Sequence, residues 1–252
     1  MCGRFVASRP VEEIARLLEV DEVDVPPELN VPRWNIAPQQ TVLAVTEPAK
    51  QPGVRRLSTF RWGLVPRWAK DPSIGVRAFN AKAETAQEKP MFRNAFDHRR
   101  CVIPADAFYE WAPPDRHDSS RRRLPWCFKS PDSGLLLLAG LFEHWRPLTD
   151  EAAAALSTCT ILTTGANGLV SAIHDRMPVL IAEEDLDVWL APGPLGTAEA
   201  GRLLRPAHEN ALERFRVSTK VNDARTDGPE LEAPLEVDSL DGAKGPSDPR
   251  LS

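Results

Sequence analysis

Prolines are spread along almost the whole of this chain, and they set the first limit on what it can fold into. The sequence has 24 prolines in 252 residues, and they divide it into short stretches. Proline interrupts helices and is excluded from the middle of a sheet, so long helices and long unbroken strands are both disfavoured. The pattern predicts an irregular α+β fold with many short strands rather than a helical bundle.

The stretches between these breaks show helix or strand periodicity. Val11–Val20 places apolar residues at helical spacing and acids in its first turn, which predicts a helix. No internal repeat links the stretches, so we expect one domain. Further helices are predicted over Thr85–Phe96, Glu183–Leu190 and Gly196–Leu204, and a polar loop over Pro113–Arg123. Strands are predicted over Thr41–Glu47, Arg55–Trp62, Arg99–Ile103, Ala107–Trp111, Leu124–Lys129, Leu135–Leu141 and Leu156–Thr163.

The composition argues against a membrane protein. Hydrophobic residues make up 42% and charged residues 27% of the chain, values typical of a soluble globular protein. No apolar run approaches the roughly 18 residues of a membrane helix. The N-terminus lacks the basic and then apolar pattern of a secretion signal. We therefore expect a cytoplasmic protein.

Acidic residues are concentrated at the C-terminal end. Residues 225–252 hold seven acids and three bases, a net charge of −4, whereas the whole chain carries −5. The first 224 residues are therefore close to neutral and can hold a local basic surface, on which nucleic-acid binding depends. We predict a folded domain over residues 2–224 and an acidic, disordered Pro/Gly-containing tail over residues 225–252.

Cysteine at position 2 has a chemistry that an internal cysteine lacks. If Met1 is removed, Cys2 carries a free α-amine and a thiol on adjacent carbons. The amine can condense with an aldehyde to an imine, and the thiol can then close on the imine carbon as a thiazolidine. An α-amine with a pKa of about 7.7–8.0 is roughly 10–17% neutral at pH 7, against roughly 0.04% for a lysine. Cys2 is therefore a candidate nucleophile toward an aldehyde.

The other cysteines, Cys101, Cys127 and Cys159, lie in strand-like apolar segments and are predicted to be unreactive core residues. The sequence has no CxxC pair, no HExxH motif, no phosphate-binding glycine loop and no GxSxG elbow. It therefore indicates neither a disulfide framework nor a metal or other cofactor. Cofactor-free chemistry at Cys2 is what remains.

A candidate nucleic-acid surface is formed by two segments rich in arginine and tryptophan. Tryptophans alternate with arginines in Phe60–Trp68, and a second basic segment follows at Arg77–Glu84. Indole rings suit stacking on unpaired bases while arginines meet phosphates. The alternative is a tryptophan-rich edge of the core with solvated arginines, and these residues alone leave both interpretations open.

Glu110 and His174 are the candidate acid–base groups. Strand alternation puts Glu110 on the same face as Phe108 and opposite Tyr109 and Trp111. Desolvation among aromatic rings raises the pKa of a carboxyl toward neutrality, which suits a general acid–base, whereas a glutamate held by an arginine is the alternative. His174 precedes a proline-containing loop and is either catalytic or structural.

Seven segments occur in a fixed order between residue 2 and about residue 224. They are Met1–Phe5, Trp34–Pro38, Arg61–Pro66, Phe79–Glu84, Arg100–Ala105, Phe108–Trp111 and His174–Pro178. Taken together they resemble the SRAP family, the SOS-response-associated-peptidase-like proteins that shield abasic sites in single-stranded DNA. Each segment is weak alone, but the ordered set is specific. We expect a single domain with a core of mostly antiparallel, barrel-like β-sheet flanked by short helices.

The resemblance implies that Cys2, freed of Met1, attacks the ring-opened aldehyde of an abasic sugar and forms a stable thiazolidine crosslink. Asn80 and His174 would hold and polarise the opened sugar, and Glu110 would move protons during formation and reversal. β-Elimination from the imine would give abasic-site lyase activity. Implied DNA contacts are Arg4, Lys82 and Arg176 at phosphates, and Pro38, Trp62, Arg67, Trp68 and Arg77 along the groove.

Two other functions stay open at this point. A cysteine peptidase or amidase would use Cys2 with His174, and a non-covalent single-strand binder would use Trp62, Trp68 and the arginines. Lys82 departs from the arginine expected at its position, since a lysine keeps the charge but loses bidentate phosphate geometry. The expected partner is single-stranded DNA containing abasic sites, with no metal, no membrane and no second copy of the chain.

Overall fold

The computed structural model describes residues 2–113, 123–150 and 152–235. Its strands are β1 (Phe5–Ala7), β2 (Glu22–Asp24), β3 (Arg33–Ile36), β4 (Thr41–Thr46), β5 (Arg56–Trp62), β6 (Asn80–Lys82), β7 (Arg100–Ala105), β8 (Ala107–Ala112), β9 (Leu124–Lys129), β10 (Leu136–Trp145), β11 (Leu156–Gly165), β12 (Arg176–Pro178) and β13 (Glu213–Arg216). Its α-helices are α1 (Val11–Leu17), α2 (Ala83–Ala86), α3 (Arg93–His98), α4 (Gly168–Ser171), α5 (Leu186–Leu190) and α6 (Thr197–Leu203). Within these described ranges, no helix has the length and apolar character needed to cross a membrane.

Five strands close into a barrel. β11 pairs with β10, β10 with β7, β7 with β4, and β4 with β5, all antiparallel. A parallel pair between β5 and β11 completes the ring. A second sheet, in the order β13-β9-β8-β1-β3, is antiparallel throughout. The predicted α+β fold with a mostly antiparallel, barrel-like core is confirmed.

Alternate residues of the barrel strands face inward and outward, as the period of two in a strand requires. The inward set, which includes Phe60, Ile103 and Cys159, fills the barrel and joins one core cluster with residues of the second sheet. The outward set includes Leu57 and packs with Trp189 of α5 in a separate cluster under the helices. The barrel is therefore a packed core whose two ends, rather than its middle, are available for function.

Sequence periodicity located the long strands well and the short elements poorly. The strand predicted over Leu156–Thr163 extends to Gly165, for example. The single helix predicted over Thr85–Phe96 is wrong, because Pro90 separates α2 from α3 and cannot continue a helix. Strands such as β1 and β6 were not predicted, since three residues carry no periodicity.

The C-terminal segment remains packed beyond the predicted domain boundary. Leu231 is fully buried, and Asp227 Oδ1 accepts a hydrogen bond from the backbone N–H of Trp34 at 2.6 Å. The prediction of a disordered tail from residue 225 is therefore wrong over residues 225–235. The remainder of that predicted tail, residues 236–252, and most of the predicted loop at Pro113–Arg123 lie outside the described residues.

Candidate active site

Cys2 lies at one end of the barrel, immediately before β1. It is fully buried and belongs to the inner core cluster. β1 runs antiparallel to β8, with Phe5 opposite Phe108 and the N–H of Tyr109 donating to the carbonyl oxygen of Arg4 at 3.0 Å. This register brings Cys2 alongside the part of β8 that carries Glu110.

Asn80 holds the backbone of Cys2. It comes from β6, which is placed by its parallel pairing with β11. Its Nδ2 donates to the carbonyl oxygen of Cys2 at 2.7 Å. Its Oδ1 is buried and has no hydrogen-bond partner within the described ranges. Asn80 therefore fixes the position of Cys2 and keeps one buried acceptor for a further group.

Glu110 is almost completely buried, with 2% of its surface exposed. The predicted alternation along β8 is confirmed, since Phe108 joins the inner cluster while Tyr109 packs in a different one. Burial raises the pKa of Glu110, and the nearby His174 lowers it in part. Burial also raises the pKa of the Cys2 thiol, and the charge of Glu110 raises it further. The site thus disfavours the charged forms of both the thiol and the carboxyl.

His174 follows α4 and is only partly buried, with 26% of its side chain exposed. Its Nδ1 lies 3.0 Å from the backbone nitrogen of Arg176 and 2.9 Å from Asp175 Oδ1. The backbone N–H can only donate, so the neutral ring accepts at Nδ1 and carries its proton on Nε2. When the ring is protonated, Nδ1 can donate to the carboxylate instead. His174 can therefore exchange a proton without changing its position.

Arg4 is tied to the C-terminal segment. Its Nη1 donates to Asn35 Oδ1 at 2.7 Å and to the carbonyl oxygen of Val221 at 2.8 Å. Its guanidinium also lies over the ring of Trp111, 5.8 Å from the centroid. Arg4 therefore anchors the chain two residues beyond Cys2, and only part of its donor capacity faces outward.

Asn35 was not among the predicted site residues, although it lies in one of the seven segments. It is 3% exposed, and its Nδ2 donates to the carbonyl oxygens of Asp223 at 3.0 Å and Thr226 at 2.8 Å. The signal that could have found it is an asparagine in a strand-like segment, where an amide needs buried partners. Asn35 joins the C-terminal segment to Arg4.

Arg176 and Lys82, both predicted phosphate contacts, differ in their surroundings. Arg176 donates to both carboxylate oxygens of Glu84, at 2.7 and 2.9 Å, and also to the carbonyl oxygen of Thr163. Lys82 is exposed at the end of β6. Glu84, which was also not predicted as a site residue, therefore sets the orientation of Arg176.

Trp62 does not lie on a groove. It is fully buried inside the barrel, and its Nε1 donates to the carbonyl oxygen of Phe79 at 2.7 Å. Its ring packs edge-on against Phe5, with the centroids 5.2 Å apart. The prediction that Trp62 lines the DNA groove is therefore wrong, because strand alternation turns its side chain into the barrel.

Trp68 is placed quite differently, with 54% of its surface exposed. With Arg77 it lines an open groove of about 850 Å³. Arg67 is exposed beside it, and Pro38 is half-buried.

The loop that carries Trp68 begins at Gly63, whose φ is +148° and where an added Cβ would lie 2.5 Å from the carbonyl oxygen of Gly75. Only glycine allows this close approach of the two loops.

The cysteines are all free. Cys101, Cys127 and Cys159 are buried, as predicted for core residues. Burial raises the pKa of each of these thiols. Within the described ranges, no group of three His, Cys, Asp or Glu side chains could hold a metal ion. Burial alone therefore does not distinguish Cys2 from the other cysteines, whereas the hydrogen bond from Asn80 and the nearby Glu110 do.

The chain is similar to known proteins over most of its length. The family model for SOS response associated peptidase (SRAP) matches residues 1–224. Abasic site processing protein YoqW of Bacillus subtilis is 39% identical over 231 residues, which cover 92% of this chain and 98% of that protein. Abasic site processing protein HMCES of Gallus gallus is 34% identical, over 73% of this chain and 59% of that protein.

A solved structure from Bacteroides thetaiotaomicron has the same fold. It superposes with a TM-score of 0.78 over 93% of this chain and 100% of that one, at 22% identity. The match of the family model, together with relatives above 30% identity, establishes the relationship that the seven ordered segments predicted. The chain belongs to the SOS response associated peptidase (SRAP) family.

Proposed function

We propose that this chain processes abasic sites in DNA, and that it does so by covalent capture through the α-amine and thiol of Cys2. Two kinds of observation support the proposal. Relatives that match nearly the whole chain are named abasic site processing proteins. The observation that carries the chemistry is the position of Cys2, whose carbonyl is held by Asn80 and whose thiol is influenced by the buried Glu110.

The reaction begins at the amine, once Met1 has been removed. The lone pair of the Cys2 nitrogen adds to the aldehyde carbon of the ring-opened sugar, and the carbinolamine then loses water to give the imine. That step needs a proton at the departing hydroxyl. Glu110 supplies it, since burial raises the pKa of its carboxyl and keeps an acid form available. His174 exchanges protons beside it.

Ring closure follows at the same carbon. The thiol adds across the C=N bond, so that a C–S bond forms and the thiol proton moves to nitrogen. The overall change is the loss of one water. Because the thiol is held neutral by its raised pKa, the amine reacts first and the thiol closes second. The buried Oδ1 of Asn80 is available to accept a hydrogen bond from the opened sugar.

The imine is also the branch point for a lyase activity. An imine at C1 acidifies the adjacent C2 proton, and removal of that proton expels the 3′ phosphate by β-elimination. Glu110 or His174 can accept the proton in their basic forms. Reversal of the thiazolidine runs through the same imine, with water re-added. Rapid closure by the thiol therefore favours the stable crosslink over strand cleavage.

The groove beside Trp68 and Arg77 is the proposed path for the single strand. An exposed indole ring offers a stacking surface that accepts any base, and Arg67 and Lys82 supply exposed cations for phosphates. Arg176 keeps its guanidinium in place through Glu84. The loop that carries Trp68 contacts the other end of the barrel, since Trp145 Nε1 donates to the carbonyl oxygen of Ala69 at 2.7 Å, and Arg77 lies three residues before Asn80. A strand along this groove would therefore run toward the end of the barrel that holds Cys2.

The site gives less support to a cysteine peptidase. Such an enzyme needs a thiolate, which a histidine next to the sulfur stabilises by lowering its pKa. Burial and Glu110 act in the opposite direction on Cys2. An imine-forming amine needs no thiolate, so the same surroundings are compatible with aldehyde capture.

The proposal is tested by incubating the Met1-free protein with single-stranded DNA that contains one abasic site. We expect an adduct that survives denaturing electrophoresis and whose mass is that of protein plus DNA less one water. Cys2→Ser keeps the amine but cannot close the thiazolidine, so its adduct should persist only after borohydride reduction. A Cys2→Ala protein that crosslinks as efficiently as wild type would disprove the proposal.

A further inference from the structure

The end of the barrel opposite Cys2 is open and holds a cavity of about 440 Å³ that the proposed reaction does not use. Ser157 lies near the start of β11, whereas Ile161 of the same strand pairs with Asn80 at the Cys2 end. Four residues of strand correspond to roughly 13 Å. The cavity and the Cys2 site are therefore separate, and the packed interior lies between them.

The floor of the cavity is aromatic. Phe60 and Phe142 meet edge-on with ring centroids 5.4 Å apart, and the ring of His144 lies 5.4 Å from Phe142. Strand register explains the arrangement, since His144 pairs with Ser157 two positions beyond the pair of Phe142 with Cys159. The side chains that face into the barrel are therefore aromatic rings where they reach this mouth.

The wall of the cavity includes hydroxyl-bearing residues from three strands, which are Thr46, Ser58, Thr59 and Ser157. Ser157 Oγ lies 2.9 Å from Nδ1 of His144. Since Nδ1 is occupied in this way, Nε2 is the nitrogen through which His144 can bind a ligand. The mouth therefore combines an apolar floor of rings packed edge-on with several small hydrogen-bonding groups.

Positive charge surrounds these groups. Burial lowers the pKa of His144, and the charges of Arg99, Arg67 and Arg146 lower it further. Arg99 lines the cavity, and its Nε is buried with no hydrogen-bond partner in the described part of the chain, although its Nη2 is bound to Glu143 at 2.7 Å. An anion at the mouth would be attracted by positive charge that the protein's own acidic groups neutralise only in part.

The rim also carries an acid, which limits where an anion can sit. Asp24 lines the cavity, as does Arg56, and Arg56 is bound to Glu22 at 2.8 Å. The favourable side for an anion is therefore the side of Arg99 and Arg146, away from β2. The aromatic floor lies next to that side, because the ring of His144 is part of the floor and is also close to Arg99 and Arg146.

We propose that this barrel mouth binds one nucleotide unit, with its base over the exposed ring of His144, beside the edges of the two phenyl rings, and its phosphate toward Arg99 and Arg146. A phosphate alone would leave the rings uncovered, and a neutral aromatic molecule would leave the arginines uncompensated. The volume lies within the range of small-molecule sites, and barrel mouths commonly hold such ligands. The site does not depend on the chemistry at Cys2.

The first test is titration of the whole protein, in the Cys2→Ala form, with 2′-deoxyadenosine 5′-monophosphate. We expect saturable binding that moves the NMR resonances of the His144 ring. Adenosine without phosphate and deoxyribose 5-phosphate without base should each bind at least about tenfold more weakly. Absence of binding by the mononucleotide would overturn the proposal.

Matched variants locate the binding. His144→Ala should weaken mononucleotide binding at least about tenfold, and Arg146→Gln should weaken it several-fold while leaving the weak binding of adenosine unchanged. His208→Ala and Arg205→Gln make the same changes around a different cavity and should have no effect. If His144→Ala binds the mononucleotide as tightly as wild type, the site is elsewhere and the proposal fails.

A competition experiment distinguishes a free nucleotide from a unit of a bound strand. If the mouth holds part of the strand, the mononucleotide will displace a labelled single strand, and His144→Ala will weaken strand binding. If the mouth holds a free nucleotide, both ligands will bind together with unchanged affinities. Either result supports the binding site at the mouth. Both results can be measured when no crosslink forms, so a failure of the Cys2 chemistry would be detected independently of this proposal.

Discussion

The two ends of the barrel use a buried carboxyl in different ways. Glu110, at the Cys2 end, and Glu143, at the open mouth, are 2% and 3% exposed. Burial raises the pKa of both. Arg99 lies 2.7 Å from Glu143, whereas Glu110 lies near His174 and beside Cys2. Glu143 therefore belongs to an ion pair with Arg99, whereas Glu110 lies beside the candidate nucleophile and is the proposed proton donor.

The largest expected effect concerns two thiols of similar burial. Cys2→Ala should reduce the rate of stable adduct formation by at least about a thousandfold, since the α-amine remains but the thiol that closes the thiazolidine is lost. Cys159→Ala lies within the same barrel and should leave that rate nearly unchanged, while lowering the free energy of unfolding by about 1 kcal/mol. Denaturing gels and chemical denaturation measure the two quantities. Equal crosslinking losses in both variants would show that Cys2 acts through stability.

Glu110→Gln and Glu143→Gln should separate the two carboxyls. Loss of the proton donor at Glu110 should slow adduct formation by about a hundredfold without weakening binding of intact single-stranded DNA. Glu143→Gln leaves Arg99 without its counter-charge, so it should lower stability instead. If Glu110→Gln fails to bind intact DNA, the carboxyl is structural at both ends of the barrel.

The pH dependence sharpens this contrast. Because the pKa of Glu110 is raised on folding, the wild type loses stability as the pH rises from the ordinary carboxyl pKa through the raised value. Glu110→Gln removes that loss, so the variant should be more stable than wild type at pH 7 and equal to it below about pH 4. Thermal denaturation across this range checks the sign. Greater stability of the wild type at pH 7 would contradict it.

Two tryptophans of one segment should behave in opposite ways. Trp68→Ala should weaken single-strand binding by about tenfold, the value of one lost stacking contact, with little change in stability. Trp62→Ala should lower the free energy of unfolding by about 3–5 kcal/mol, because it empties the barrel interior. Fluorescence anisotropy and denaturation give the two values. If Trp62→Ala folds but binds single-stranded DNA much more weakly, while Trp68→Ala binds normally, Trp62 rather than Trp68 contacts the DNA.

The smallest expected effect is that of Lys82→Arg. A guanidinium can bind phosphate with two parallel hydrogen bonds where an ammonium offers a point charge. Affinity for single-stranded DNA should rise about twofold, with the salt dependence of binding unchanged because the charge is the same. A change in the rate of crosslinking at saturating DNA would show instead that Lys82 acts on the chemistry.

Residue patterns predicted several of the side chains that the structure brings close together. Cys2 was singled out by its position next to the initiator, and Glu110 by alternation along a strand. The same local patterns misassigned Trp62, because a tryptophan beside arginines looks alike on a groove and at the end of a buried strand. Asn35 and Glu84 were missed because their partners, Asp223 and Arg176, lie far away along the chain.

Local sequence features account for the class of fold and for the reactive side chains that the chain can offer. The cysteine at position 2 and the prolines that keep most elements short are covalent features that hold in any conformation. The tertiary structure alone decided which side chains meet, because barrel closure depends on the pairing of β5 with β11, nearly a hundred residues apart. That closure placed Asn80 against Cys2, turned Trp62 inward and left the opposite mouth open. Such contacts are set by long-range register, which no local pattern encodes.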